Sequence, residues 1–242
     1  MLTLFRSLFA PPRDLILVMA AVWLGSWLAE KRAARHGLTA NDVNNLTFYP
    51  LLGYILGGRL SFALENLPAF AAAPLSLFSL NLDLFDPLGG GIAALLIALV
   101  YGQRRNLSLW PTLDALTPLL AVLWIGIALS HLASGSAFGK ETDLPWGIDL
   151  WGTRRHPSQL YELLASLLTL GLLLFPKADS RPGRLFLTFA ALSSGWTLFL
   201  QAFRGDSILL PGGLRLTQVL AWIALAAALY LLDKMSPARS IE

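Results

Sequence analysis

The densest gathering of reactive side chains in this sequence of 242 residues is Arg154-Arg155-His156-Pro157-Ser158-Gln159-Leu160-Tyr161-Glu162. Pro157 suits the first turn of a helix, which places Ser158, Tyr161 and Glu162 on adjacent turns of one face. A helix N-terminus with arginines and a serine beside it is a natural phosphate site. A plain helix cap at a water interface is the other reading of the same residues. Arg204 with Asp206, in Gln201-Ala202-Phe203-Arg204-Gly205-Asp206, offers another cation. Arg59 stands in Leu56-Gly57-Gly58-Arg59-Leu60, deep in an apolar run where a charge is costly. It reads as a ligand for an anion or a lipid phosphate, or else as half of a buried pair with Asp114 or Glu162. Asp114 itself reads as an N-terminal helix residue favoured by the macrodipole. Gly89-Gly90-Gly91 allows close approach of a lipid or of another helix.

These groups are strung between long hydrophobic runs. Hydrophobic residues make up 55% of the chain and charged residues 14%, more apolar than the core of a soluble domain requires. Cysteine is absent, which removes disulfides, thiolate nucleophiles and sulfur-ligated metals. Three scattered histidines leave little for a metal site. The basic residues lie at the ends of apolar runs and form no stripe, so the net charge of +3 reflects membrane topology and not nucleic acid.

A hydrocarbon core about 30 Å thick needs about 20 apolar residues per helical crossing. Seven runs qualify: 14–30, 46–64, 88–103, 113–131, 158–175, 184–203 and 216–232. All are expected to be helices, because an open sheet edge cannot be satisfied in hydrocarbon and no alternating segments suggest a barrel. The fold class is therefore all-α, a polytopic membrane protein with seven transmembrane helices, and residues 1–242 form a single transmembrane domain. The first run lacks a small-residue cleavage site and is expected to stay as a helix. Lys31, Arg32, Arg35, Arg104, Arg105, Lys177, Arg181, Arg184, Lys234 and Arg239 mark the cytoplasmic side. That puts the N-terminus outside and the C-terminus inside, with long exterior loops over about 65–87 and 132–157. Lys140, Arg154, Arg155, Arg204 and Arg215 then lie outside against the rule, as a functional site on that face would require.

Leu56-Gly57-Gly58-Arg59-Leu60, Gly89-Gly90, Asp114-Ala115-Leu116-Thr117-Pro118, Phe138-Gly139, Arg155 to Glu162 and Phe203-Arg204-Gly205-Asp206 follow one another through most of the chain. In order and spacing this series resembles the prolipoprotein diacylglyceryl transferase family. The resemblance implies seven helices in the bacterial inner membrane and an active centre open to the periplasmic leaflet. It implies transfer of diacylglyceryl from phosphatidylglycerol to a lipobox cysteine of a lipoprotein precursor, without metal or soluble cofactor. It gives Arg59, Arg155 and Arg204 the task of holding the phosphodiester, and the three are expected to converge on one cavity. Gly89, Gly90, Ser158, Tyr161 and Glu162 join them as lipid-binding residues.

Departures from the family pattern fall on its reactive positions. Leu88 replaces a histidine, Ala128 an arginine, and Asp14, Ser193 and Gln201 replace two tyrosines and a glutamate. His131 and Ser134 stand where the family has asparagines, and Ser136 where it has a glutamate. His131 lies where a base for the thiol is useful, which makes His131, Arg155 and Arg204 the candidate catalytic residues; a structural histidine at a helix end is the alternative. Three functions are compatible with this pattern: a divergent transferase, an inactive paralogue that binds lipid or lipoprotein precursor, and a structural subunit of a larger membrane complex. The partners are phosphatidylglycerol or another anionic lipid, a lipoprotein precursor and the membrane itself.

The cation distribution makes a direct prediction: reporter fusions after Arg35, Arg105 and Lys234 all report cytoplasm. A periplasmic signal from any one overturns this topology.

Overall fold

The computed structural model describes residues 2–78, 84–174 and 181–235. Lys177 and Arg239, two of the orienting cations, and Phe175 at the end of the fifth run lie outside the described residues. The chain is predominantly helical. A short α1 (Leu2–Leu8) precedes α2 (Leu15–Ala33), α3 (Ala40–Glu65), a short α4 (Leu67–Ala72), α5 (Pro87–Arg104) and α6 (Leu109–Ser134). Two strands, β1 (Ile148–Leu150) and β2 (Thr153–Arg155), come before α7 (Ser158–Leu174), α8 (Arg184–Leu200) and α9 (Leu216–Lys234).

Each of the seven apolar runs is a helix, but local caps move the ends. α3 starts at Ala40 and not at 46 because Thr39 and Asp42 close a capping box: Asp42 N–H donates to Thr39 Oγ1 and Thr39 N–H to Asp42 Oδ2, both at 3.1 Å. α6 runs on to Ser134, where Gly135 takes a left-handed φ of 76° and its N–H caps the His131 carbonyl at 2.9 Å. The loop before α7 adds a short hairpin to the helices. There β1 and β2 pair antiparallel around Trp151-Gly152, whose positive φ values suit a tight hairpin turn.

Among the described residues, three helical segments are long and apolar enough to cross a membrane: Leu109–Ser134, Arg184–Phe203 and Leu216–Lys234. The most apolar stretch of α6 is 50% buried inside the protein against 11% for each of the other two, which makes α6 the central helix. It packs against α1, α2, α7 and α8; α2 links it to the α3–α5 pair, and α9 lies on α8. Small residues set these distances. A Cβ on Gly126 would fall 2.3 Å from the Ala21 Cβ across the α2–α6 interface, and one on Gly57 would fall 2.3 Å from the Ala93 Cβ across α3–α5. A cluster of Ala29, Ala33, Leu38, Val43, Leu46, Ala115 and Leu119 closes the end of the bundle where α2, α3 and α6 meet.

Asp114 is the polar keystone of that end. Its expected place in the first turn of its own helix is corrected by the start of α6 at Leu109, which puts it one turn further in. The carboxylate is buried, and Oδ2 accepts from Gly183 N–H at 2.6 Å while Oδ1 accepts from Phe186 N–H at 2.8 Å. Asp114 thus caps the N-terminus of α8 from a neighbouring helix. Gly183 cannot supply a cap of its own, and a Cβ there would meet the Trp110 ring at 2.7 Å. Asp114→Ala leaves a buried and a part-buried N–H group bare and is expected to cost about 2–4 kcal/mol, at roughly the value of hydrogen bonds to a charged group. The readout is the thermal midpoint of unfolding in detergent, and an unchanged midpoint refutes the cap.

Candidate functional site

The far end of α6 meets the start of α7, the end of α8 and the loop 135–157. Ser158 and Gln159 weld α7 to that loop, because Ser158 Oγ donates to the Ala137 carbonyl at 2.6 Å and Gln159 Nε2 to the Ser136 carbonyl at 2.9 Å. Both side chains are buried. The loop is tied on both sides by backbone bonds. Lys140 N–H donates to Phe203 O and Gly205 N–H to Phe138 O, each at 2.8 Å; His156 N–H donates to Lys140 O at 2.9 Å and Thr142 N–H to Arg154 O at 3.0 Å. Segment 138–142 therefore lies as an extra strand between residues 203–205 and the β1–β2 hairpin. Gly139 is required there, since a Cβ would come within 2.2 Å of the His156 carbonyl oxygen.

Beneath this lid lies a small cavity of about 40 Å³ lined by Trp124, Ser158, Glu162, Gln201 and Arg204. It has room for roughly two waters. Glu162 Oε2 lies 2.9 Å from His131 Nδ1, and Glu162 Oε1 accepts from Trp124 Nε1 at 3.3 Å. On the other wall, Arg204 forms a bidentate pair with Asp206, both bonds at 2.9 Å. Arg215 braces that wall from below, donating to the Gln201 carbonyl, to Arg204 O at 2.8 Å and to Ser207 Oγ at 3.0 Å. Next to the cavity, an apolar groove of about 390 Å³ runs between α7 and α8, walled by Trp146, His156, Tyr161, Trp196 and Phe203. Tyr161 faces this groove, where its hydroxyl accepts from Trp146 Nε1 at 2.9 Å.

The three arginines expected to converge do not meet in this cavity; of them, Arg204 alone lines it. Arg155 is spent on the loop. Its Nε donates to Leu150 O at 3.2 Å, its Nη1 to Gly139 O at 3.3 Å and its Nη2 to Glu141 Oε1 at 3.3 Å, with the guanidinium 5.0 Å from the centre of the Phe138 ring. Arg59 lies on α3 and donates to Leu84 O at 3.1 Å, while Asp114 and Glu162 hold partners elsewhere. Gly89 and Gly90 are taken up by helix packing: added Cβ atoms would fall 2.2 Å from the Ser61 Cβ and 2.7 Å from the Tyr54 carbonyl. Beside them Asp86 caps α5, and hydrogen bonds from the Ser61 hydroxyl and then the Gly89 N–H hold its carboxyl below the usual carboxylate range.

Sequence reasoning brings Ser158, Glu162, Arg204 and His131 to one end of the bundle, counts Arg215 among the cations near it, and passes over Trp124. Trp124 was legible in principle, because it stands one heptad before His131 and so on the same face of α6.

The profile of the prolipoprotein diacylglyceryl transferase family matches residues 15–233. The phosphatidylglycerol-prolipoprotein diacylglyceryl transferase of Solidesulfovibrio magneticus is 36% identical over 157 residues, covering 62% of this chain and 58% of that relative. The enzyme of that name from Bordetella parapertussis is 31% identical over 218 residues, covering 84% of this chain and 82% of the relative. The one from Acaryochloris marina is 30% identical over 254 residues, covering 92% and 88%.

Arg155 acts through a planar fork, which lysine lacks. Arg155→Lys is expected to loosen the lid by about 1–3 kcal/mol, seen as faster amide hydrogen exchange at Lys140, Thr142 and His156. Exchange at the native rate would show that the clamp holds nothing.

Proposed function

Because this chain belongs to the prolipoprotein diacylglyceryl transferase family, we propose that it moves the diacylglyceryl group of phosphatidylglycerol onto the cysteine thiol of a lipoprotein precursor. The reaction takes place at the outer leaflet of the bacterial inner membrane, in a protein that crosses seven times with its N-terminus outside and its C-terminus in the cytoplasm. The observation that carries this reading is the placement of Arg204 and Glu162 around one cavity beside an apolar groove, with His131 bonded to Glu162. A phospholipid needs that combination: a cation for its phosphate, a dry trough for its acyl chain, and a base near the carbon between them.

In balanced form, the thiol loses its proton, and the sulfur attacks the glyceryl carbon that carries the phosphate ester. The C–O bond breaks, its electron pair leaves on the phosphate oxygen, and a thioether forms. The proton passes to the departing glycerol phosphate. Arg204 stabilises charge gathering on that oxygen, its own orientation kept by Asp206. His131 accepts the thiol proton and returns it. Arg155 keeps the lid over the site, and Ser158 holds the start of α7 in register with it. Of the replaced positions, Leu88 is exposed at the head of α5 and Ala128 is fully buried within α6.

The test is transfer to a lipobox peptide by purified protein in phosphatidylglycerol. Arg204→Ala is expected to weaken phosphatidylglycerol binding by about 1.5–3 kcal/mol, the value of a charge-assisted hydrogen bond. His131→Ala is expected to slow transfer by a factor of about a hundred. Binding without any transfer marks an inactive paralogue, and failure to bind phosphatidylglycerol puts a structural subunit ahead.

A further inference from the structure

Glu162 is fixed more firmly than a residue waiting for a lipid needs to be. Each of its oxygens already has a partner on α6: Oε2 has His131 Nδ1 at 2.9 Å and Oε1 has Trp124 Nε1 at 3.3 Å. Its side chain is 18% exposed, and that of His131 27%. An ionised carboxylate only accepts, so the ring nitrogen facing it carries the hydrogen. Nε2 then holds the lone pair, and among the described residues it has no hydrogen-bond partner. The other charges at this end of α6 have partners of their own. Arg6 donates to Leu132 O at 3.0 Å, Asp14 accepts from Ser130 Oγ at 3.0 Å, and Arg204 across the cavity is held by Asp206.

We propose that Glu162 is a positioning residue, anchored by Trp124, that locks the His131 imidazole as the Nδ1–H tautomer and so presents Nε2 as the base for the thiol. The inference rests on the transferase reading above and assigns within it a role that follows from a histidine particular to this chain. A carboxylate behind an imidazole fixes tautomer and ring orientation and stabilises the imidazolium as it forms. The device suits this position because the two partners come from different helices. α6 is held by burial along its length, and α7 by Ser158 and Gln159 at its first turn, so the ring and the carboxylate are both set on rigid backbone.

The experiment uses the full chain in phosphatidylglycerol bilayer discs with a lipobox peptide. Glu162→Gln keeps the shape of the side chain and removes its charge. Its kcat is expected to fall by about ten- to a hundredfold, the usual scale for a partner that orients a functional histidine, while KM for phosphatidylglycerol holds. In a His131→Gln background the same change is expected to cost no more than about twofold, since the two act as one unit. Nitrogen-15 spectra give a reading independent of turnover: the chain has three histidines, and the His131 signal is the one lost in His131→Gln. That signal should show the Nδ1–H tautomer in the native protein and move toward Nε2–H in Glu162→Gln. Native kcat in Glu162→Gln, an equal loss in both backgrounds, or an unmoved tautomer overturns the proposal and leaves the transferase reading standing. A tautomer that responds to Glu162→Gln in a protein that transfers nothing instead sinks the transferase reading, and with it the catalytic role of the pair.

Discussion

A polar group inside hydrocarbon has to find its partner within the protein, and α6 is where this chain gathers those partners. At one end its Asp114 carboxylate takes up two N–H groups of α8. At the other its His131 and Trp124 take up the two oxygens of Glu162 on α7. Between these points the helix is buried by small residues, Ala121, Ala128 and Gly126 among them, which bring the neighbouring backbones close. α7 and α8 are therefore oriented by hydrogen bonds at opposite ends of one helix and by packing in between. That is economical, because apolar contact alone favours no particular rotation of a helix in lipid.

The site depends on this arrangement twice over. The cavity lies where α6, α7 and α8 part, and its polar lining comes from those three helices and the turn after α8. The lid is a separate solution to the same problem. Its backbone groups are paired with residues 203–205 on one side and with β2 on the other, and Arg155 closes what remains by donating to two carbonyls. A loop with these backbone groups paired can lie over an apolar groove with fewer bare donors facing lipid. The same use of Arg155 explains why so strong a cation near the site does not line the cavity.

The helix map was legible in the sequence because a crossing needs a long apolar run, and such runs show in composition. The ends were less legible, since they are set by single hydrogen bonds such as the Thr39–Asp42 box and the Gly135 cap. Ser158, Tyr161 and Glu162 illustrate the next limit. Their spacing puts them on adjacent turns, yet about 100° of rotation per residue leaves Ser158 and Glu162 within about 40° of each other and turns Tyr161 away toward the groove.

What the sequence determined by itself is the membrane setting, the order of the helices and the types of group gathered around the start of α7, because composition and period depend on neighbours along the chain. Which of those groups meet was decided by tertiary structure alone. Asp114 serves α8, Arg155 serves the lid and Glu162 serves His131. Each is a pairing between segments remote in the chain, settled by how helices rotate against one another and by which backbone donors and acceptors their ends leave open.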